Sequence, residues 1–183
     1  MKTFVEIGTC DFDTLRPLCD SGWRGVMVEP FKKFLDNIEE HENLTKVNKA
    51  VGLYNGTTTY KKVKDEYIQE WKDKSYDGMG TITNITTFDS TNDYKNKLET
   101  LDVELVTFEN LMSELDIKEI DYLKIDTEGM DFDIIKSIDY TKYRINIIKM
   151  EHSYCDENLV MNFLADKGYY SELFSNDIIA IKK

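Results

Sequence analysis

Residues that could bind a ligand or move a proton stand at or near the ends of four apolar runs. They are Glu6, Gly8 and Thr9 for the first run, Glu29 for the second, Asp126, Glu128 and Gly129 for the third, and Glu151 and His152 for the fourth. Carboxylates accept hydrogen bonds from hydroxyl groups, and carboxylates or a histidine can take up a proton. If the four runs are parallel strands, these residues meet at the edge of the sheet where ligands bind in open α/β proteins.

Gly8 marks the turn that follows the first apolar run. A glycine lets the backbone pass close to a ligand because it has no Cβ. The turn has one glycine and lacks the G-x-G-x-x-G dinucleotide fingerprint. Glu6, Asp11 and Asp13 argue against a phosphate ligand and suit one with hydroxyls and a cationic centre, such as S-adenosylmethionine. The alternative is a plain turn between a strand and a helix.

Glu29 lies at the end of the second run, about twenty residues beyond Gly8. An acid at this position can accept hydrogen bonds from both ribose hydroxyls of a nucleoside. The alternative is a surface acid that opens a helix, where negative charge is also favourable. The distance from the glycine turn favours the ribose interpretation.

The elements that position these residues alternate between strand and helix. Phe31, Phe34, Leu35 and Ile38 have the spacing of an amphipathic helix between two such strands. The alternation predicts an α/β fold with a doubly wound, parallel sheet. A closing antiparallel hairpin is expected near the C-terminus. The predicted strands are 4–7, 25–28, 47–51, 57–63, 103–106, 120–125, 145–150, 169–174 and 177–181, of which 57–63 is expected to be exposed.

Residues 64–101 interrupt the alternation with a polar, irregular stretch. It contains Trp71, Tyr76, Phe88 and Tyr94, whose rings could stack on a sugar. A stretch of this length inside a compact domain is usually functional or mobile. We predict one domain over 1–183, with 64–101 as a lid or substrate insertion. The alternative is a solvated loop with a few anchoring aromatic side chains.

Composition restricts the class of protein. The 183 residues fit one domain and carry a net charge of −12, which disfavours binding to nucleic acid and to anionic membranes. Three cysteines, widely spaced, fit reduced thiols. The sequence shows no apolar run near the length of a membrane span and no signal peptide, so we expect a soluble, cytoplasmic protein.

Four motifs, in order along the chain, resemble those of the FkbM family of methyltransferases. The block 123–131, Leu-Lys-Ile-Asp-Thr-Glu-Gly-Met-Asp, is similar to the family's Lys-Ile-Asp-x-Glu-Gly-x-Glu, with Asp131 in place of the last glutamate. The other three are 28–30 (Val-Glu-Pro), 48–52 (Asn-Lys-Ala-Val-Gly) and 106–111 (Val-Thr-Phe-Glu-Asn-Leu). The departure is the first loop, which lacks the family's second glycine.

The resemblance implies a Rossmann-like, class I methyltransferase fold with a mostly parallel seven-stranded sheet. It also implies transfer of a methyl group from S-adenosyl-L-methionine to an oxygen. The implied contacts are Glu6, Gly8 and Thr9 at the methionine and sulfonium end, Glu29 with Pro30 at the ribose, Asn48 and Ala50 at the adenine, and Asp126 near the methyl group and the acceptor. Glu128 is expected to accept from free N–H groups at the next helix start.

The reaction needs an aligned acceptor hydroxyl and a group that removes its proton. The candidate bases are Asp126, Glu128 and His152, and the alternative for His152 is a histidine that supports the sheet edge. No metal is predicted, although carboxylates could hold Mg²⁺ against a diol. The resemblance implies a sugar, glycan or small metabolite as acceptor, and a homodimer is possible.

Two other functions fit the same sequence. The first is an NAD-dependent, sugar-modifying oxidoreductase, against which the absent G-x-G-x-x-G argues. The second is a catalytically degenerate, methyltransferase-like domain that binds a partner through 64–101. The missing second glycine favours this reading, and the retained Glu29 and Asp126 argue against it.

Overall fold

The computed structural model describes residues 1–10, 14–67, 80–83 and 97–183. The strands of these residues form two sheets. The larger sheet has the order β10-β11-β9-β8-β1-β2-β3, and the smaller has the order β4-β7-β5-β6. The strands are β1 (Thr3–Ile7), β2 (Arg24–Val28), β3 (Leu44–Val47), β4 (Ala50–Gly52), β5 (Gly56–Val63), β6 (Gly80–Thr81), β7 (Leu98–Thr107), β8 (Glu119–Ile125), β9 (Arg144–Glu151), β10 (Tyr169–Phe174) and β11 (Asp177–Lys182).

The larger sheet has the predicted architecture. Strands β3, β2, β1, β8 and β9 are parallel neighbours, and β11 runs antiparallel between β9 and β10. The chain winds outward in both directions from β1 and β8, so the Rossmann-like, doubly wound sheet of seven strands is confirmed. The C-terminal hairpin is confirmed as well, with Phe174 paired to Asp177 across its turn.

Apolar side chains cover both faces of this sheet. Phe4 and Met27 pack on one face with Leu35, while Val5 and Val26 belong to the larger cluster on the other. Burial on both faces explains why the central strands read as short apolar runs in the sequence. The helices are α1 (Pro17–Asp20), α2 (Lys32–Asn37), α3 (Phe108–Glu114), α4 (Asp131–Ser137) and α5 (Glu157–Asp166).

The predicted third strand, 47–51, is wrong as a single element. The chain leaves β3 at Val47 and enters β4 at Ala50, and these two strands belong to different sheets. Apolar residues on either side of Asn48 and Lys49 merged two short strands into one pattern. Residues 48 and 49 are therefore the corner at which the chain passes from the larger sheet to the smaller one.

The smaller sheet was not predicted as a separate sheet, although its strands at 57–63 and 103–106 were, and it includes parts of the stretch 64–101. Strand β7 begins at Leu98 and pairs antiparallel with β5, while β6 pairs with β5 at Lys61 and Lys62. The insertion predicted at 64–101 stays a prediction. Its aromatic residues Trp71, Tyr76, Phe88 and Tyr94 lie outside the described residues.

The order of strands in the larger sheet reverses between β1 and β8. The carboxyl ends of these two strands are therefore where a ligand site is expected. At the carboxyl end of these strands, Gly8 donates its N–H to the Val28 carbonyl (2.9 Å) and Asp126 donates to the Ile7 carbonyl (2.9 Å). Ligands bind at this reversal in doubly wound sheets because the loops on either side diverge. Among the helices that the structure describes, none has the length and apolarity needed to span a bilayer.

Candidate functional site

Gly8 occupies a position that only glycine fits. Its φ is +78°, and a Cβ built on it would lie 1.8 Å from the backbone oxygen of Asp126. The turn after β1 therefore rests directly on the start of the loop after β8. Thr9 is buried behind it and donates its N–H to the Val28 carbonyl. The adjoining Asp11 and Asp13 lie outside the described residues.

Glu29 is buried at the end of β2, with 4% of its surface exposed. Oε2 accepts a hydrogen bond from the N–H of Cys10 at 3.0 Å, and Oε1 accepts one from Phe31 at 2.9 Å. The carboxylate thus links the glycine turn to the start of the next helix. A carboxylate is also the type of group that accepts hydrogen bonds from the hydroxyls of a ligand.

Asn48 fixes the backbone beside this acid. Its side-chain amide donates to the carbonyls of Glu29 (3.0 Å) and Pro30 (2.8 Å). Ala50 is buried in the smaller sheet, in a cluster with Tyr60. The residues predicted to surround the ribose and the adenine therefore lie near one another. The hydrogen bond from Asn48 to the Pro30 carbonyl also gives Asn48 a structural role.

Glu6 and Lys124 form a buried ion pair between adjacent strands. They are register partners on β1 and β8, and the ammonium lies 2.8 Å from Glu6 Oε1 and 3.7 Å from Asp126 Oδ2. Burial alone would lower the pKa of Lys124, but the Glu6 carboxylate outweighs it and the pKa lies above its ordinary value. Lys124, which we did not predict as a site residue, compensates the negative charge of Glu6.

Asp131 shapes the loop between β8 and α4. Its two carboxylate oxygens accept hydrogen bonds from the backbone N–H groups of Thr127 (2.9 Å) and Gly129 (3.1 Å). We expected Glu128 to accept from free N–H groups at this helix start, and the structure gives that task to Asp131. Glu128 instead has a left-handed φ of 52° and accepts from the Tyr154 hydroxyl at 2.7 Å.

We expect Asp131→Asn to destabilise the protein by about 1–2 kcal/mol, because an amide offers one acceptor oxygen to two N–H donors. Urea unfolding measures this, read as a lower midpoint at unchanged slope. Asp133→Asn, on the same helix with a half-exposed carboxylate paired to Lys136, is the control. Equal midpoints for the two variants would contradict the loop role of Asp131.

Three carboxylates meet at the ends of β8 and β9. Asp126, Glu128 and Glu151 each place a carboxylate oxygen within 4.8 Å of the others. Burial raises the pKa of all three groups, and for Glu151 burial and the charge of Glu128 raise the pKa to about 8. Glu151 is thus suited to exchange a proton near neutral pH. The cluster could also surround a divalent cation.

A cavity of about 180 Å³ opens beside Glu151. Phe132 and Tyr154 supply aromatic walls, and Asp133 adds a further carboxylate. One oxygen of Glu151 accepts from Ser153 at 2.8 Å, while the other is buried with no hydrogen-bond partner among the described residues. A hydroxyl entering this cavity could satisfy that oxygen.

His152 is not part of the carboxylate cluster. Its Nε2 lies 3.2 Å from the Ser175 carbonyl oxygen in the hairpin turn, and its Nδ1 lies 3.9 Å from Glu157 on α5. These contacts match the alternative interpretation, a histidine that supports the sheet edge.

Lys124 and Tyr60 were not predicted as site residues, and Glu151 was placed at a strand end without an assigned role. Lys124 stands inside the motif 123–131, and Glu151 stands at a strand end, so both positions carried a signal. Tyr60 carried none, because it lies on the smaller sheet.

The comparison with models of protein families agrees with the motifs. The family model described as the methyltransferase FkbM domain matches residues 6–170. No curated protein matches the sequence significantly. Among solved structures, 99% of the chain aligns with 60% of the N-terminal domain of human METTL16 in complex with SAH, at 11% identity and a TM-score of 0.41. The chain thus spans less than two thirds of that solved chain.

Proposed function

Because this chain belongs to the methyltransferase FkbM domain family, we propose that it transfers a methyl group from S-adenosyl-L-methionine to a hydroxyl of a sugar, glycan or small metabolite. The observation that carries the proposal is the carboxylate cluster beside the cavity, at the sheet edge that also holds Gly8 and Glu29. The sheet has the class I methyltransferase architecture.

The residues at the ends of β1 and β2 fit the cofactor. Gly8 has no Cβ, which lets the backbone at Asp126 pack directly against the turn after β1 and brings the ends of β1 and β8 together. Glu29 is held at the end of β2 by two backbone N–H groups, and its carboxylate is an acceptor of the kind that ribose hydroxyls require. We assign Glu6, Gly8 and Thr9 to the methionine end, Glu29 and Pro30 to the ribose, and Asn48 and Ala50 to the adenine.

The bound cofactor supplies an electrophilic methyl group on a good leaving group. The protein must align the acceptor hydroxyl and remove its proton. We assign the proton to Glu151, which has one buried, unpartnered oxygen and belongs to the cluster with Asp126 and Glu128. Asp126 is next to the glycine turn and orients the acceptor, while the Tyr154 hydroxyl holds Glu128.

The cavity favours a neutral acceptor. The Asp133 carboxylate, joined by Glu151 once that group is ionised, would repel a phosphorylated or carboxylated sugar, whereas sugar hydroxyls can donate to both. Phe132 and Tyr154 provide rings for stacking on a sugar. The net charge of −12 also disfavours nucleic acid as acceptor, and we place the reaction in the cytoplasm.

Calorimetric titration with S-adenosylhomocysteine, with NAD⁺ run beside it, tests the cofactor. We expect binding of the former alone, and a panel of neutral sugars then follows with phosphorylated counterparts as controls. Binding of NAD⁺ alone would favour the oxidoreductase, and binding of neither would favour a domain that only binds a partner.

We expect Glu29→Ala to weaken S-adenosylhomocysteine binding about tenfold to a hundredfold, since a charged acceptor for ribose hydroxyls is lost. The measurement is the dissociation constant from calorimetry, with circular dichroism to verify the fold. Asp36→Ala is the matched control, because this acid of α2 is exposed and forms an ion pair with Lys32. Unchanged affinity in Glu29→Ala would exclude the ribose assignment.

A further inference from the structure

Tyr60 joins the smaller sheet to the residues assigned to the cofactor. It lies on β5 with 3% of its surface exposed, and its ring packs in the cluster that contains Ala50 and Phe31. Phe31 is held by Glu29 through its backbone N–H. The tyrosine therefore packs beside the ribose acid and the adenine position, although it comes from a different sheet.

The Tyr60 hydroxyl makes no hydrogen bond to any residue that the structure describes. A tyrosine hydroxyl can donate one hydrogen bond, so this group is able to bind an acceptor atom of a ligand. Strand β6 confines the hydroxyl, since a Cβ built on Gly80 would lie 1.7 Å from its oxygen. The adjacent Thr81 hydroxyl donates to the Glu128 carbonyl at 2.8 Å, which fixes this strand on the loop after β8.

The groups around the hydroxyl keep it protonated. Burial, and then the charges of Glu29, Cys10 and Glu128, raise the pKa of Tyr60 far above its ordinary value. A neutral phenol beside carboxylates is available as a hydrogen-bond donor. The Tyr60 ring packs with Phe31, which follows Glu29 closely, and the hydroxyl lies against Gly80, next to the Thr81 that binds the loop containing Glu128.

We infer that the Tyr60 hydroxyl donates a hydrogen bond to a ribose oxygen of the adenosyl cofactor, as a binding residue supplied by the smaller sheet. The Glu29 carboxylate only accepts, so it takes the protons of the ribose hydroxyls and leaves their oxygen lone pairs without a donor. Tyr60 supplies that donor. The inference rests on the proposed use of S-adenosyl-L-methionine.

Tyr60→Phe tests this by removing only the hydroxyl. We expect the dissociation constant of S-adenosylhomocysteine to rise about fivefold to tenfold. The thermal midpoint without ligand should stay the same or rise, because the hydroxyl has no partner to lose. Tyr54→Phe, an exposed tyrosine near the start of the same strand, should change neither quantity.

Deoxyribose analogues of S-adenosylhomocysteine make the test specific. The wild-type protein should bind the 2′- or the 3′-deoxy analogue more weakly, and Tyr60→Phe should reduce this discrimination. Two results would overturn the role of Tyr60 and leave the proposed cofactor untouched. One is equal affinity of the wild type and Tyr60→Phe for S-adenosylhomocysteine. The other is a lower thermal midpoint of Tyr60→Phe with undiminished discrimination against the deoxy analogues. Failure of the wild-type protein to bind S-adenosylhomocysteine would overturn the proposed cofactor as well.

Discussion

Glu151→Gln is expected to lower kcat for methyl transfer to a neutral sugar acceptor by about a hundredfold or more, because the amide cannot take up the hydroxyl proton. In the wild-type protein, kcat should rise with pH through about 8, as the carboxyl group ionises. The variant should lack this rise. Release of S-adenosylhomocysteine, followed across pH, measures both effects.

The raised pKa of Glu151 also predicts a change in stability with pH. The pKa is higher in the folded than in the unfolded protein, so the folded state binds the proton more tightly. Relative to Glu151→Gln, the wild type should lose stability as the pH rises from the unfolded pKa of about 4.3 towards about 8. This comparison needs no acceptor.

The control for Glu151→Gln is Glu157→Gln, which changes a half-exposed carboxylate near His152 on α5. It should retain kcat and the dependence on pH. If Glu151→Gln kept most of the activity, or if both variants kept the rise near pH 8, Glu151 would not be the base. His152→Gln would then be the next variant, since the sequence also placed His152 among the candidate bases.

Lys124→Met is expected to lower the free energy of unfolding by about 3–5 kcal/mol at neutral pH, since it leaves Glu6 buried without a counter-charge. Glu6 is fully buried on β1, so water cannot replace the ammonium. Denaturant unfolding measures the loss. The deficit should shrink as the pH falls, because an unpaired buried carboxylate has a raised folded-state pKa and becomes neutral.

Two further variants separate the effect of breaking the ion pair on stability from the effect of losing a long side chain. Glu6→Gln combined with Lys124→Met removes both charges and should recover much of the stability. Lys136→Met removes a half-exposed lysine that pairs with Asp133, and should change stability by less than about 1 kcal/mol. A small effect of Lys124→Met alone would contradict the role assigned to the pair.

Local patterns predicted the larger sheet well. Its central strands are buried on both faces, so each appears in the sequence as a short apolar run with a turn after it. The prediction failed at 47–51, where two short strands of different sheets follow each other. Nothing in the side-chain pattern marks a change of sheet, because only Asn48 and Lys49 separate Val47 from the buried residues Ala50 and Val51.

The residues of the site also fall into two groups, those that local sequence patterns revealed and those whose contacts only the structure shows. Glu29, Asp126 and the glycine turn could be found because ligand contacts cluster at strand ends, and strand ends are visible locally. The pairing of Glu6 with Lys124 joins residues 118 positions apart, and it follows only from the register of β1 against β8. The contact between Tyr60 and the cofactor residues depends on how the smaller sheet packs.

The sequence by itself determined the family, the alternation of strands and helices, and which acids stand at the carboxyl edge of the sheet. Periodicity and motif spacing are properties of neighbouring residues, so they survive without a structure. The tertiary structure alone decided which acids share a cavity, that the pKa of Glu151 rises to about 8, and that Tyr60 is enclosed beside Glu29. Burial and electrostatic interactions depend on distances between segments that are remote in the chain, and only packing fixes those distances.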